Sequence, residues 1–252
     1  MSAPLWLAAG LSDRGCVREQ NEDRWFADAD RGLFLVADGM GGHAAGALAA
    51  EIVVKTLPPL LQERLGDAPE LTDPQTHERV RSALVELNHQ FRAASAGEFG
   101  LDGMGSTVVL AWLREVHALI AHLGDSRALL WRDGQLQPLT HDHSVVQLLL
   151  NHREITEAEA VDHPARSQLT RFVGMDIALP EVCCVAIQPD DVLLLCSDGL
   201  TGQVHGTDLT EHFAALLSPH ILCERLVNAA NLAGGQDNVT VVAIRVSAVG
   251  HH

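Results

Sequence analysis

The sequence predicts an α+β fold with antiparallel β-sheets, because its predicted strands come in runs and do not alternate one by one with helices. Three strands, STVVLAWL, VHALIAHL and SRALLWR, follow each other with short connections at Arg114-Glu115 and Gly124-Asp125. Short connections favour antiparallel neighbours, so these strands are expected to form a meander. The chain has 252 residues and shows no linker, low-complexity tract or internal repeat. We therefore expect one domain over residues 1–252.

The first half of the chain supplies two strands and two helices beside that meander. The strands WFADA and GLFLVAD are separated by a turn at residues 30–32. A helix is expected over residues 44–60, where Pro58-Pro59 would end it. A second helix is expected over residues 74–96, with apolar residues at near-helical spacing. These residues are Val80, Leu84, Leu87 and Phe91.

The second half continues with short elements. Asp133-Gly134 predicts a tight turn after the third meander strand. Short helices are expected at residues 144–150 and 156–161, followed by a polar, histidine-rich stretch that is typical of a surface segment. The remaining predicted elements are the strands EVCCVAI and DVLLLC, helices over residues 208–217 and 221–232, and the final strand VTVVAIRV.

Composition narrows the function classes. The net charge is −16 and Lys55 is the only lysine. This disfavours a nucleic-acid or anionic-membrane partner, and it removes the lysine that a P-loop or a Schiff base requires. No apolar run approaches the roughly 18 residues that cross a bilayer, and the chain start lacks a basic leader. We therefore expect a cytoplasmic protein without membrane insertion.

The five cysteines point to a reducing compartment and away from two kinds of site. No CxxC pair is present, so zinc is not expected. No cysteine is followed six positions later by an arginine, which a cysteine phosphatase would need. We expect these cysteines to be small buried apolar residues.

The stretch LFLVADGMGGHAAGALAAE, residues 33–51, fits two kinds of site. Its glycines match the G-x-G-x-x-G/A fingerprint of dinucleotide binding. However, Asp38 directly before them would repel a pyrophosphate, and the second strand of that motif is replaced by TLPPLLQERL. The alternative is that Asp38 binds a metal ion, which we favour.

Three further aspartates occur in similar positions. VLLLCSDGL places Asp198 after an apolar strand and before a glycine, Asp237 precedes the last strand, and Asp125 lies between two strands. Any single Asp-Gly is more often an ordinary turn than a ligand. Four aspartates at strand edges would instead form an oxygen-ligand site for Mg²⁺ or Mn²⁺. Two such ions can activate water and neutralise a transferring phosphoryl group.

The segment RGCVREQNEDRW, residues 14–25, adds a cation to these carboxylates. Arg18 stands four residues before Glu22, and an arginine fork is a natural ligand for a phosphate. The alternative is an exposed ion pair between Arg18 and Glu22.

Together these motifs resemble one family. RxxNED, VADGMGGHAAG, GMGSTVV, HLGDSRALL, THDHSVV, HPARSQLTRFVG, LLCSDGL and GGQDNVTVV occur in this order over residues 7–246. The set resembles the bacterial single-domain form of the metal-dependent protein phosphatases 2C. The resemblance implies a four-layer α-β-β-α sandwich in which two packed antiparallel sheets are flanked by helices.

The resemblance also implies roles for the site residues. Asp38 corresponds to the ligand shared by two Mn²⁺ or Mg²⁺ ions, and the Gly39 carbonyl to a further ligand. Asp198 and Asp237 resemble ligands of the second ion, and Glu22 contacts a metal through water. The remaining implied assignments are Asp125 with Asp198 for a weaker third ion, Arg18 for the substrate phosphate, and residues 143–175 for a mobile flap.

The implied reaction is hydrolysis of phosphoserine and phosphothreonine by direct attack of a metal-bridging water, opposing a bacterial serine/threonine kinase. Animal members carry a histidine after Asp-Gly, where this chain has Met40. The proton donor therefore stays open between His43 and a metal-bound water. An alternative function is a phosphoprotein-binding pseudophosphatase or scaffold without turnover, which is expected to have lost metal aspartates that this chain keeps. The sequence does not indicate an oligomeric state.

Overall fold

The fold was taken from a computed structural model, which describes residues 6–42, 44–66, 69–96, 103–213 and 217–247. Eleven strands form two sheets in this part of the chain. In chain order they are β1 (Trp6–Asp13), β2 (Asp23–Asp28), β3 (Leu33–Met40), β4 (Gly105–Ser106), β5 (Val108–Arg114), β6 (His117–Leu123), β7 (Arg127–Arg132), β8 (Gln135–Pro138), β9 (Glu181–Ala186), β10 (Val192–Cys196) and β11 (Val239–Val246).

All strand pairs in both sheets are antiparallel, which confirms the predicted α+β class. The first sheet has the order β1-β11-β10-β7-β8. The second has the order β2-β3-β5-β6-β9, and the short strand β4 pairs with the end of β3.

Seven helices are described in this part of the chain. They are α1 (Ala44–Leu65), α2 (Pro74–Ser95), α3 (Val145–Asn151), α4 (Glu157–Val161), α5 (Asp198–Thr201), α6 (Gly206–Glu211) and α7 (Pro219–Leu232). Within the described ranges, none of these helices combines the length and apolar character needed to cross a membrane. Helices α1 and α2 pack on the outer face of the second sheet, and α7 packs on that of the first.

Three apolar layers hold the sandwich together. Strand β3 contributes side chains to two of these layers. One face packs toward α1 and α2 through Leu33, Leu35 and Ala37, and the other packs between the two sheets through Phe34 and Val36. This alternation follows from the two-residue period of a strand, and both faces are buried. A third layer lies between the first sheet and α7. The order helix, sheet, sheet, helix is therefore the predicted four-layer sandwich.

Helix α1 is longer than the sequence predicts. It passes through Pro58 and Pro59 and ends at Leu65, so the expected end at the prolines is wrong. Two prolines remove backbone donors and normally break a helix. Here Leu57 and Leu61 are fully buried on either side of the pair, so core packing outweighs the local cost.

The expected three-strand meander is also wrong in one detail. β5 and β6 pair within the second sheet, but β7 pairs with β10 and β8 in the first sheet. The chain crosses between layers at Gly124, whose φ is +112° and is accessible mainly to glycine. A short connection containing glycine is compatible with a hairpin or with such a crossing, so the local sequence could not distinguish them.

The first strand and the cysteines differ from expectation too. No element was predicted at Trp6–Asp13, which forms β1 through its pairing with β11. Cys196 and Cys223 are buried as expected, whereas Cys16 and Cys183 are exposed because they lie on a surface loop and an edge strand. All five cysteines are free thiols.

Candidate active site

The structure gathers the predicted aspartates at one edge of the two sheets, around a cleft of about 310 Å³. Asp38 lies near the end of β3, Asp125 between β6 and β7, Asp198 at the first position of α5, and Asp237 directly before β11. Residues far apart in the chain thus reach one edge because four strands or connections end there. Every site residue expected from the sequence lines this cleft: Arg18, Glu22, Asp38, Gly39, Asp125, Asp198 and Asp237.

The carboxyl groups in the cleft repel each other in the absence of a cation. Burial, followed by the charges of Asp23 and Asp198, raises the pKa of Asp38 well above its ordinary value. Burial and the charge of Asp198 do the same to the pKa of Asp125. Removing several carboxylates from water is costly unless a proton or a metal ion compensates their charge.

One carboxylate oxygen of Asp198 lacks, among the described residues, the hydrogen-bond partner that a buried polar atom normally has. This atom is Oδ1, and it is buried. Burial, then the charge of Asp237, raises the pKa of Asp198. Buried polar atoms are normally satisfied. A divalent cation that prefers oxygen ligands would satisfy this atom and neutralise the neighbouring charges, so the donor set fits Mg²⁺ or Mn²⁺.

Asp23 belongs to the same cluster, although the sequence analysis gave it no role. It is 1% exposed and lies directly opposite Asp38 in the β2–β3 register. Its Oδ2 accepts a hydrogen bond from the Ser197 hydroxyl at 2.7 Å, while its Oδ1 has no described partner. Burial raises the pKa of Asp23 to about 7. The only local signal was its position next to Glu22, which does not reveal burial.

Glycines allow α1 to approach the Glu22 and Gly39 backbone closely. A Cβ atom at Gly46 would overlap the Glu22 carboxylate and lie 3.0 Å from the Gly39 carbonyl oxygen. A Cβ atom at Gly39 would overlap the Gly46 carbonyl in turn. Gly39 and Gly46 therefore allow close packing around the two predicted metal ligands, because neither carries a Cβ atom.

Asn238 joins the loop of residues 14–22 to the Asp237 turn, and the sequence analysis missed it. Its side-chain oxygen accepts the Glu22 N–H at 2.8 Å. Its amide nitrogen donates to the carbonyl oxygens of Arg14 and Gln20 at 2.9 and 2.8 Å. One side chain thus fixes the backbone that carries Arg18 and Glu22.

Arg18 binds Asp237 instead of forming the alternative surface pair with Glu22. Its Nη2 donates to Asp237 Oδ2 at 2.6 Å, and the arginine side chain is about half exposed, at 51%. The guanidinium therefore faces the cleft and remains accessible from solvent.

Hydroxyl groups hold the Asp38 backbone in place. Asp38 N–H donates to Thr107 Oγ1 at 3.0 Å, and Thr107 N–H donates to the Asp38 carbonyl at 2.8 Å. Thr107 Oγ1 also lies 2.6 Å from Ser126 Oγ, next to Asp125. These contacts join β3 to the β6–β7 crossing, and no single-residue pattern in the sequence predicts them. His43, the alternative proton donor, lies outside the described residues.

Comparison with known proteins gives consistent matches. A family model described as Protein phosphatase 2C matches residues 17–231. The serine/threonine phosphatase stp of Listeria welshimeri is 36% identical over 237 residues, which cover 92% of this chain and 93% of the relative.

Solved structures are similar over nearly the whole chain. The serine/threonine phosphatase PstP/Ppp of Mycobacterium tuberculosis has a TM-score of 0.86 and 35% identity, covering 96% of this chain and 99% of that one. A structure of the catalytic domain of PstP in complex with two manganese ions has a TM-score of 0.84 and 33% identity, with coverage of 96% and 99%.

Proposed function

The chain belongs to the protein phosphatase 2C family and is a metal-dependent serine/threonine phosphatase, and we propose that the aspartate-lined cleft is its active site. The observation that carries this proposal is the convergence of Asp38, Asp198 and Asp237, from three separate parts of the chain, on one cleft. The partnerless oxygen of Asp198 supports a cation as their shared partner.

Two ions, Mn²⁺ or Mg²⁺, would be held by these residues. Asp38 would contribute to both ions, the Gly39 carbonyl to one of them, and Asp198 and Asp237 to the other. The structure of PstP with two manganese ions supports this pairing by similarity. When bound, such ions supply an activated water for direct attack on phosphorus and neutralise charge on the phosphoryl group.

Two acidic residues complete the proposed ligand set. Glu22 would act through water, which agrees with its backbone N–H being fixed by Asn238. Asp125, together with Asp198, would hold a weaker third ion. The tight packing of Gly46 against the Glu22 carboxylate supports a fixed position for that side chain.

Arg18 would bind the phosphate of the substrate. In the structure its guanidinium is bound to Asp237, so a phosphate would replace a carboxylate as its partner. Both are oxyanions with the geometry that an arginine fork accepts. The exchange would bring the phosphate next to Asp237 and orient it in the cleft. The donor of a proton to the leaving alkoxide stays open between His43 and a metal-bound water.

The similarity to named serine/threonine phosphatases argues against the alternative of a pseudophosphatase without turnover.

The substrates are phosphorylated proteins. We further propose that a bacterial serine/threonine kinase makes these substrates, that the protein acts in the cytoplasm, and that residues 1–252 form one catalytic domain with a flap at residues 143–175. The free thiols and the charge of −16 support a reducing compartment and a partner other than nucleic acid.

The direct test is hydrolysis of p-nitrophenyl phosphate and of a phosphothreonine peptide with Mn²⁺ present. Asp38→Asn and Asp198→Asn should abolish turnover, because each removes charge from the proposed metal site. Asp133→Asn is the matched control, since Asp133 lies in an exposed turn away from the cleft. Full activity in both cleft variants would contradict the proposal.

A further inference from the structure

A partly buried ion pair joins the residue before the flap to the strand that follows Asp125. Arg127, the second residue after Asp125, donates from Nε and Nη2 to the two carboxylate oxygens of Asp142, each at 2.7 Å. Two parallel bonds of this kind fix the orientation of both side chains. Asp142 directly precedes His143, where the flap begins.

His143 binds both backbone groups of the residue before Asp125. Its N–H donates to the Gly124 carbonyl at 3.0 Å, and its ring Nδ1 accepts the Gly124 N–H at 3.1 Å. His143 is only 5% exposed, so these bonds are shielded from water. The chain on both sides of Asp125 is therefore bound by two consecutive residues at the start of the flap, since His143 contacts Gly124 and Asp142 contacts Arg127.

The other side of His143 is connected to the part of the flap that lines the cleft. The Thr170 N–H donates to the His143 carbonyl at 2.7 Å, and Ser144 pairs with Leu169 in an antiparallel bridge. Leu169 and Ser167 line the same cleft as the aspartates. A continuous series of hydrogen bonds thus runs from the cleft wall through His143 to Gly124, the residue directly before Asp125.

The cluster around His143 has the composition of a metal site but not its geometry. His122, His143 and Glu181 have potential ligand atoms within 4.8 Å of one another. However, the two imidazoles are stacked, with ring centres 4.3 Å apart and an angle of 15° between their planes. Nearly parallel rings cannot direct in-plane lone pairs at one ion. Glu181 also already binds the Arg171 guanidinium at 2.8 Å.

We propose that His143 is a positioning residue that couples the flap to Asp125, so that metal binding at Asp125 and the position of the flap influence each other. This inference rests on the proposed role of Asp125 as a metal ligand. The stacked His122 ring supports the His143 ring from one side, and its own Nε2 lies 2.9 Å from the His141 carbonyl. The acceptor atom Nδ1 makes the contact specific, because only an acceptor at that place satisfies the Gly124 N–H.

Two substitutions separate the two ring nitrogens of His143. The amide oxygen of His143→Asn can occupy the place of Nδ1 and accept the Gly124 N–H. The longer His143→Gln places its amide near Nε2, which faces Glu181 at 3.3 Å. His143→Gln should therefore raise the Mn²⁺ concentration for half-maximal activity about tenfold, because it loses one buried hydrogen bond to Gly124. His143→Asn keeps this bond and should change that concentration by less than about twofold.

Limited trypsin digestion gives a readout that does not depend on activity. Arg153 and Arg166 are exposed cleavage sites within the flap. Mn²⁺ should slow cleavage there in the unchanged chain and in His143→Asn, but not in His143→Gln. A purely structural role would change the cleavage rate without changing its dependence on Mn²⁺. His152→Gln is the matched control, because His152 is an exposed flap histidine whose ring lies 3.6 Å from Glu154.

Asp125→Asn separates this inference from the proposed function. It should show the same loss as His143→Gln, and the double variant should show no further loss, because both changes act on one site. Equal behaviour of His143→Asn and His143→Gln, or additive losses in the double variant, would overturn the coupling. An unchanged Mn²⁺ dependence in Asp125→Asn would show that Asp125 is not a ligand, and the coupling would fall with that assignment. Inactivity of Asp38→Asn tests the proposed function independently.

Discussion

Asp38, Asp125 and Asp198 are carboxyl groups that the fold partly shields from water and gathers at one cleft. Such an arrangement is unfavourable by itself and becomes favourable when cations neutralise it. Arg18 is the complementary feature, because it is a half-exposed cation at the entrance of an acidic cleft. We therefore propose separable roles for these residues, in which the aspartates hold metal and Arg18 captures phosphate.

Arg18→Ala should raise KM for a phosphothreonine peptide by about 10- to 100-fold and leave kcat nearly unchanged. This factor corresponds to the free energy of one hydrogen bond between charged groups. The physical reason is that Arg18 is the proposed partner of the substrate phosphate, while the aspartates proposed as metal ligands are unchanged in this variant. Steady-state kinetics at saturating Mn²⁺ provide the measurement, with Arg81→Ala on the outer face of α2 as the control. An unchanged KM in Arg18→Ala would rule out this role.

For helix α1, the sequence predicted where the helix starts but not where it ends. Its start was predictable, since a strand, an aspartate and glycines precede it. Its end was not, because the burial of Leu57 and Leu61 depends on partners elsewhere in the chain. The predicted pairing of β6 with β7 was wrong for the same reason. The strands available as pairing partners, and not the connection itself, decide which sheet a strand joins.

Gly46→Ala should separate helix stability from metal binding. Alanine favours a helix interior by about 1 kcal/mol over glycine, so local helix stability should not fall. The added methyl group would displace the Glu22 carboxylate and crowd the Gly39 carbonyl. We therefore expect weaker Mn²⁺ binding with an unchanged or higher melting temperature of the metal-free protein, as measured by titration calorimetry and thermal unfolding. Full Mn²⁺ affinity would show that this close packing is not needed.

At the scale of the whole molecule, the candidate site was more predictable than the packing around it. Each of Asp38, Asp198 and Asp237 stands next to local strand and glycine signals. Asp23 and Asn238 act through contacts with residues 174 and 216 positions away, respectively, and such contacts leave no local pattern. The order of the motifs identified the family because the motifs together specify a fold in which these distant residues meet.

The metal-free protein should lose stability as pH rises. Asp23 has a folded-state pKa of about 7, raised mainly by burial, whereas an unfolded aspartate titrates near 3.9. Between these values the folded state binds more protons than the unfolded state, so its free energy of unfolding falls with increasing pH. For Asp23 alone the loss is on the order of 2 to 4 kcal/mol.

Thermal unfolding in a chelator between pH 5 and pH 8 measures this effect, and Asp23→Asn should reduce the slope. Saturating Mn²⁺ should remove most of the pH dependence in the same range, because bound cations replace the protons. A metal-free melting temperature that rises from pH 5 to pH 8 would contradict the assigned burial of these carboxyl groups.

The central claim is that Asp38, Asp198 and Asp237 form one metal site, and Mn²⁺ titration calorimetry on the purified chain tests it most directly. We predict that about two Mn²⁺ ions bind tightly per chain, and that Asp198→Asn loses at least one of them while Asp133→Asn retains both. Tight binding of the same number of ions by Asp198→Asn would contradict the account.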